Sequence, residues 1–355
     1  MSQERESTTR RQSAADRPVI GVLGGGSWGT GIAHLLAANG NEVLLWMRDG
    51  DVAASINEKR INPRYLPNLE IARGVRATLD LEEVCGGAHL LYGVVPSQSF
   101  RSVMRDMGPF LRADHFLISA SKGFEIETFR RMTEIIREET CVRRIGVLSG
   151  PNISREILEG QPAATVIASR YREVVDAGIA SLHSPRFRVY SGTDVVGVEI
   201  AAALKNVVAI CSGMMDGMGF GDNTRALLIT RGLAEIARLG AVLGADPLTF
   251  SGLAGVGDLI VTCTSPHSRN FRVGRLVATG STLEAAVARL GAVAEGVSTT
   301  RAVMRHARAL GMDLPVTEGV HRVLFAGENP QMVLDDLMGR SVRDDIDSIL
   351  RRRRE

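Results

Sequence analysis

The chain has 355 residues, 45% of them hydrophobic and 23% charged, with a net charge of +2. At ~150 residues per domain this suggests two domains, and a composition near the globular average excludes both whole-chain disorder and any need for a metal or disulfide to hold a core. The ends carry +1 (1–17) and +2 (340–355), so the body is near −1, which excludes a nucleic-acid surface.

Residues 1–17 mix acids and arginines without an apolar core and read as a disordered arm rather than a secretory signal. No apolar run approaches the ~20 residues of a membrane span, and a cytoplasmic location is expected. Residues 19–23 form a short apolar run ending in glycines, the pattern of a buried parallel strand, and 30–38 follow as a helix. Between them, Gly24, Gly26 and Gly29 stand as G-x-G-x-x-G. The first glycine permits a tight turn, the second lets a pyrophosphate approach the backbone, and the third lets helix and strand pack closely. This predicts a dinucleotide cofactor.

A second strand is expected at 42–47. An acid at its end would suit the ribose 2′-OH of NAD, whereas an arginine would suit the 2′-phosphate of NADP. Here Arg48 is followed at once by Asp49, so NADPH is favoured over NADH. Further buried strands are expected at 89–95, 115–121, 144–149 and 164–169, with helices at 98–111 and 127–139. The fold class is α/β, an N-terminal Rossmann-type doubly wound parallel sheet.

Past 188–194 the texture changes. Residues 195–215, 223–243, 283–290 and 299–310 read as helices, with Asp222 or Asn223 as a plausible N-cap. The expected organisation is a dinucleotide-binding domain (18–192), an all-helical substrate domain (193–340) and a basic tail (341–355). GMGFG (217–221) and GLAGVG (252–257) resemble phosphate loops only superficially.

Of 42 basic residues only three are lysine: Lys59, Lys122 and Lys205. Arginine cannot release a proton in the working pH range and lysine can, so lysines kept in an arginine-biased chain are candidates for chemistry. Lys122 lies in Ser121-Lys122-Gly123-Phe124-Glu125 at the C-terminal end of a predicted strand, the edge where open α/β sheets bind ligands. Ser149-Gly150-Pro151-Asn152 ends another strand facing the same crevice. Lys205 lies inside the long apolar helix, where an ammonium must be paired or neutralised, and Asp258 is a candidate partner. Ser268-Arg269-Asn270 offers a hydroxyl, a guanidinium and an amide suited to a phosphate monoester. Cys85, Cys141, Cys211 and Cys263 show no metal-ligand spacing, so no metal is expected and all four read as reduced, core-filling thiols.

GGGSWGT, NPRYLPN (62–68), VVPSQ (94–98), SKGFE, LSGPN, ALKN, TRALLITRGLAEI, AGVGDLIVTCTSPHSRN, VAEGVSTT and PVTEGVHRVLF occur in the order and spacing of the bacterial-type NAD(P)-dependent glycerol-3-phosphate dehydrogenases, which the chain resembles over roughly 18–340. The resemblance implies interconversion of dihydroxyacetone phosphate and sn-glycerol 3-phosphate, feeding glycerophospholipid synthesis. It implies that Lys205 exchanges the proton at the C2 oxygen, with Lys122, Asn206, Asp258 and Thr262 around it. Gly150, Asn152, Ser268, Arg269 and Asn270 would hold the substrate together with Lys122, Lys205 and Asp258. Ser27, Trp28, Arg48, Tyr65, Lys122, Ser154, Arg269, Val293 and Glu295 would contact the cofactor. Asn152 and Ser154 depart from the family, which usually has Ser or Thr at the first position and Ala at the second. A homodimer is the expected assembly. The competing expectations are a related dehydrogenase of a 2-keto or 3-hydroxy acid, and a catalytically dead NAD(P) sensor.

Overall fold

Val19–Leu23 is buried from Ile20 onward, as only a strand covered on both faces can be, and it forms β1 inside an eight-stranded sheet. The computed structural model describes residues 18–340 except 292, 308 and 310; the expected arm (1–17) and basic tail (341–355) lie outside the described residues. The remaining strands are β2 (Glu42–Trp46), β3 (Ile61–Asn62), β4 (Leu66–Glu70), β5 (Val75–Thr78), β6 (Leu90–Gly93), β7 (Phe116–Ser119), β8 (Arg144–Ser149), β9 (Ala163–Ser169) and β10 (Phe187–Gly192). Their order is β10-β9-β8-β7-β6-β1-β2-β5, and β3 and β4 form a separate antiparallel hairpin. The chain winds outward from β1 in both directions, so a switch point opens at the C-terminal ends of β1 and β6, where such sheets take their ligands.

The helices interleaved with these strands are α1 (Ser27–Ala38), α2 (Gly50–Lys59), α3 (Leu81–Gly87), α4 (Ser97–Met107), α5 (Met132–Glu139), α6 (Ser154–Leu158) and α7 (Arg172–Leu182). In α4, Phe100, Val103, Met104 and Met107 recur at helical spacing and are the face it buries against the sheet. The second half is helical: α8 (Val195–Gly217), α9 (Asp222–Val242), α10 (Asp258–Thr264), α11 (Arg269–Ala278), α12 (Leu283–Leu290), α13 (Glu295–Ala307), α14 (Pro315–Ala326) and α15 (Pro330–Met338). α8 is its axis and is buried continuously from Gly197 to Met215.

Several sequence expectations are corrected. The sheet is not wholly parallel, because β8 and β9 run antiparallel. The only helix between them, α6, has five residues; it rises about 7.5 Å, too short to carry the chain back along a strand of ~20 Å. The expected helix at 127–139 starts only at Met132, because Phe124 and Arg131 pair as an isolated bridge around a loop that holds Phe129 at φ 60°. α9 is capped by Gly221 and not by Asp222 or Asn223; Asp222 is already its first residue. Cys141 is exposed, while Cys85, Cys211 and Cys263 are buried; all four are free. α8, with 23 residues, is long and apolar enough to cross a membrane by length and composition, yet 89% of that stretch is buried inside the protein, the position of a core helix.

The two halves are joined by carboxylates of the helical half placed at helix starts of the sheet half. α4 begins after Pro96, which has no side-chain acceptor, and Glu295 of α13 accepts from both the Ser97 N–H (3.0 Å) and the Ser97 hydroxyl. At α5, Glu199 of α8 accepts from the Thr133 N–H (2.8 Å), the Thr133 hydroxyl (2.7 Å) and Arg131 (2.7 Å). Each supplies a first-turn N–H with an acceptor that the residue before the helix lacks, at α5 beside the local bond of Glu134 to the Arg131 N–H (2.9 Å), and the negative charge suits a helix N-terminus.

Candidate active site

The glycine loop fits a dinucleotide pyrophosphate. Gly24 has φ 124°, and a Cβ there would lie 2.6 Å from the Val94 carbonyl oxygen. A Cβ on Gly29 would fall 1.8 Å from the Gly24 oxygen, so only glycine lets α1 start this close to β1. At Gly26 the direction a side chain would take is open to 4 Å. Gly26 is also the N-cap of α1, with no side chain on the helix's first N–H groups and no acid in its first turn. Those donors and the helix dipole remain for an anionic ligand. Trp28, in the first turn, keeps its indole N–H buried with no partner among the described residues, and it shares with Ser154 the space above Gly31. Ser27 is half-buried in the same turn.

Across the crevice lies a buried ionic cluster. Asp258, at the start of α10, is 1% exposed. Its Oδ2 accepts from Lys122 Nζ (2.9 Å) and from the Ser149 hydroxyl (3.2 Å), and its Oδ1 pairs with Lys205 Nζ. Lys205 also donates to the Thr262 hydroxyl at 2.8 Å, and that hydroxyl in turn donates to the Asp258 carbonyl oxygen at 2.6 Å. Burial would by itself raise the Asp258 pKa, but two ammoniums outweigh it and the carboxyl is held below its usual range. Burial pulls Lys205 down; the Asp258 charge opposes this, the Lys122 charge adds to it, and the amine ends at about 7. One carboxylate thus holds two lysines, of which the deeper is poised to exchange a proton near neutrality.

Asn206, one residue beyond Lys205, does not reach this cluster. Its amide donates to the Ala202 oxygen (3.2 Å) and its oxygen accepts from Asn270 (2.8 Å), while Asn270 accepts from the Gly296 N–H (2.9 Å). The pair clasps α8, α11 and α13 together behind the crevice. Ser268 caps α11, accepting from Phe271 N–H. Arg269 follows as its first helical residue and is exposed; desolvation by the surrounding protein lowers its pKa, against the raising charge of Glu295. Gly150 presses on β9, where a Cβ would lie 2.9 Å from the Ala164 oxygen. The Asn152 side chain bonds the same strand, donating to the Ala164 oxygen (3.0 Å) and accepting from Thr165 (3.1 Å). Tyr65 is half-buried, Val293 is exposed, and Glu295 is raised above the usual carboxylate range by burial, against the Ser97 hydrogen bonds that lower it.

Arg48 is exposed at the end of β2 and does not pair with Asp49. Two residues of motifs noted in the sequence make contacts at the site that the sequence did not show. Ser149, fully buried, holds Asp258 from β8. Asn62, also fully buried, donates to the Gly25 oxygen (3.0 Å) and the Thr30 hydroxyl (2.9 Å), fixing the β3–β4 hairpin to the glycine loop. Ser149 lies at the end of a predicted strand, which was a usable signal; Asn62 opens the NPRYLPN motif, which did not show its partners.

Comparison with known proteins finds family models and relatives along most of the chain. Residues 19–175 match the family model for the NAD-dependent glycerol-3-phosphate dehydrogenase N-terminus, and residues 194–335 match that for its C-terminus. The chain is 48% identical over 333 residues to glycerol-3-phosphate dehydrogenase [NAD(P)+] of Azotobacter vinelandii, covering 94% of this chain and 98% of the relative. It is 44% identical to the Halothermothrix orenii protein of the same name, covering 93% and 97%. The crystal structure of glycerol-3-phosphate dehydrogenase from Coxiella burnetii superposes with a TM-score of 0.88 at 36% identity, covering 91% of this chain and 99% of that one.

Proposed function

The chain belongs to the family of NAD-dependent glycerol-3-phosphate dehydrogenases, and from that premise we propose how its residues share the work. It is an oxidoreductase that interconverts dihydroxyacetone phosphate and sn-glycerol 3-phosphate with NAD(P)H. The observation that carries the residue assignment is the buried Lys122–Asp258–Lys205 cluster at the C-terminal edge of the sheet, opposite the open glycine loop.

When bound, the dihydronicotinamide supplies the hydride to the ketone carbon. Lys205 as ammonium gives its proton to the carbonyl oxygen at C2, and as amine it takes that proton back in the oxidation. Asp258 keeps both lysines in place, and Ser149 and Thr262 fix the directions in which the carboxylate and the amine point. Lys122, 17% exposed, is the cluster's open side, where it meets the substrate. Arg269, with Ser268 at the start of α11, takes the phosphate, so that binding energy far from C2 is spent on orientation. Gly150 and Asn152 shape the loop beneath the substrate, and Asn206 and Asn270 keep α8 and α11 in register. Gly24, Gly26, Ser27, Trp28 and Gly29 receive the dinucleotide, with Tyr65, Ser154, Val293 and Glu295 along it. The division into a dinucleotide-binding unit (18–192) and a substrate unit (193–340), a homodimeric assembly, a cytoplasmic location and reduction in the service of glycerophospholipid synthesis complete the reading.

The deciding assay is NADPH oxidation by the purified protein with dihydroxyacetone phosphate, against dihydroxyacetone as control. Equal turnover of the two ketones would remove the phosphate site from the account. Arg269→Lys keeps the charge and loses the planar fork, so the KM for dihydroxyacetone phosphate should rise at least ~10-fold with little change for dihydroxyacetone.

NADPH is the favoured cofactor, through Arg48. Arg48→Ala should weaken NADPH by ~10-fold or more and leave NADH nearly unaffected, as the loss of a charge-assisted hydrogen bond to the 2′-phosphate requires. Titration of the purified variant with each dinucleotide, followed by fluorescence, measures this; equal losses for both would make Arg48 an ordinary surface charge.

A further inference from the structure

The end of β2 carries an acid as well as an arginine, and the acid is where an NAD-selective site would hold the ribose 2′-OH. Both oxygens of Asp49 are already committed. Oδ1 accepts from the Val52 N–H at 3.1 Å and so caps α2, and Oδ2 pairs with Arg64 Nη1 at 3.3 Å. Arg64 stands fifteen positions on, past α2, in the turn between β3 and β4. That turn is held firmly, because Asn62 is buried, donates to the Gly25 oxygen and the Thr30 hydroxyl, and accepts from the Tyr65 N–H at 3.2 Å. The glycine loop and the hairpin are therefore one unit, and the hairpin brings a second guanidinium to the corner where Arg48 stands. The end of β2 and the hairpin thus carry two arginines, Arg48 and Arg64, and one carboxylate that is already used twice, by Val52 N–H and by Arg64.

We propose that Arg64 is a specificity-determining residue for the cofactor. It withdraws Asp49 from the ribose and offers the 2′-phosphate of NADP(H) a second cation beside Arg48. The proposal rests on the reading that the 2′-phosphate lies at the end of β2. Arg64 is 56% exposed, with its guanidinium 5.4 Å above the Tyr65 ring, so it can turn from Asp49 toward a dianion without unfolding anything. A phosphate dianion is the stronger competitor for an exposed guanidinium, since its hydrogen bonds are charge-assisted and can be bidentate.

The test uses binding rather than turnover. Calorimetry would compare adenosine 2′,5′-bisphosphate with 5′-ADP, neither of which carries nicotinamide, on the wild type, Arg64→Ala, Arg64→Lys and Arg48→Ala. The wild type should prefer the bisphosphate. Arg64→Ala should lose about 10-fold of that preference, mostly through the bisphosphate, with 5′-ADP unchanged or slightly tighter as Asp49 is released. Arg64→Lys should lie between, keeping the charge without the fork. If Arg48→Ala removes the preference and Arg64→Ala leaves it intact, the role of Arg64 is overturned while the 2′-phosphate reading stands. If the wild type does not distinguish the two probes, that reading itself fails.

Discussion

Lys205→Met protein should fold and bind dinucleotide, yet turn over ~10²–10⁴-fold more slowly at saturating substrate, the usual contribution of a positioned acid–base group. Methionine keeps much of the lysine's length inside α8, where Lys205 is 5% exposed. Lys122 still pairs with Asp258, so no buried carboxylate is left without a cation and stability should change little. The glycine loop stands in the other half of the molecule, so the affinity for NADPH should hold. The wild-type pH profile supplies the second signature. With the Lys205 amine at about 7, oxidation of glycerol 3-phosphate needs the neutral form and should rise through pH 7. Reduction of dihydroxyacetone phosphate needs the ammonium and should fall through the same range. Lys205→Met should abolish this limb in both directions. Lys205→Arg should fail similarly, because a guanidinium stays protonated throughout. A folded Lys205→Met protein with near-normal turnover and an intact limb would transfer the proton to Lys122.

What the sequence could show, and what it could not, follows from the range of the interactions. The glycine loop was legible because all its requirements fall within six residues of one strand–turn–helix. Lys205 stood out through the scarcity of lysine and its place in an apolar helix, and Asp258 was a natural partner for it. That a single Asp258 also holds Lys122 was not legible, since the two are 136 positions apart and meet only when β7 and α10 converge. The same distance problem hid the bond of the Ser149 hydroxyl to Asp258, which spans 109 positions. Asp49 looked like a ribose ligand in competition with Arg48 because its cap of α2 and its pair with Arg64 depend on a hairpin too short to announce itself. The reversed β9 was missed for a related reason: strand character is local, but direction depends on whether the intervening helix can span the sheet. The resemblance implied Asn206 around Lys205 and Asn270 on the substrate; that the two amides bond each other and the Gly296 N–H was not legible, because Asn206 and Asn270 meet across 64 positions.

Asp258→Asn should be the most damaging change outside Lys205, and for a different reason. The variant leaves two ammonium-bearing side chains facing a neutral amide in a site from which water is largely excluded. Removing one partner of a buried ion pair costs about 3–5 kcal/mol, so a clear fall in Tm is expected alongside the kinetic defect. The chain's cheapest relief is to discharge the more deeply buried amine. Of the influences on Lys205, burial and the Lys122 charge lower its pKa and only the Asp258 carboxylate raises it. Without that carboxylate the Lys205 pKa must move down from about 7, and the pH limb of both reactions should move to lower pH with it. At pH 7 the reduction then lacks its ammonium donor, and its turnover should fall by ~10²-fold or more. Oxidation, which uses the amine, should recover part of its loss when both are compared at the same pH. The stability of the wild type should show the complementary sign. The Asp258 pKa is depressed in the folded state, so its contribution is present above the carboxylate's unfolded pKa and is lost as pH falls through the folded one. Thermal melts between pH 3 and pH 8 on wild type and Asp258→Asn, read beside the two pH–rate profiles, separate these effects. A variant that melts lower but keeps its limb at pH 7 would make Asp258 a structural anchor, and the tuning of Lys205 would have to come from burial alone.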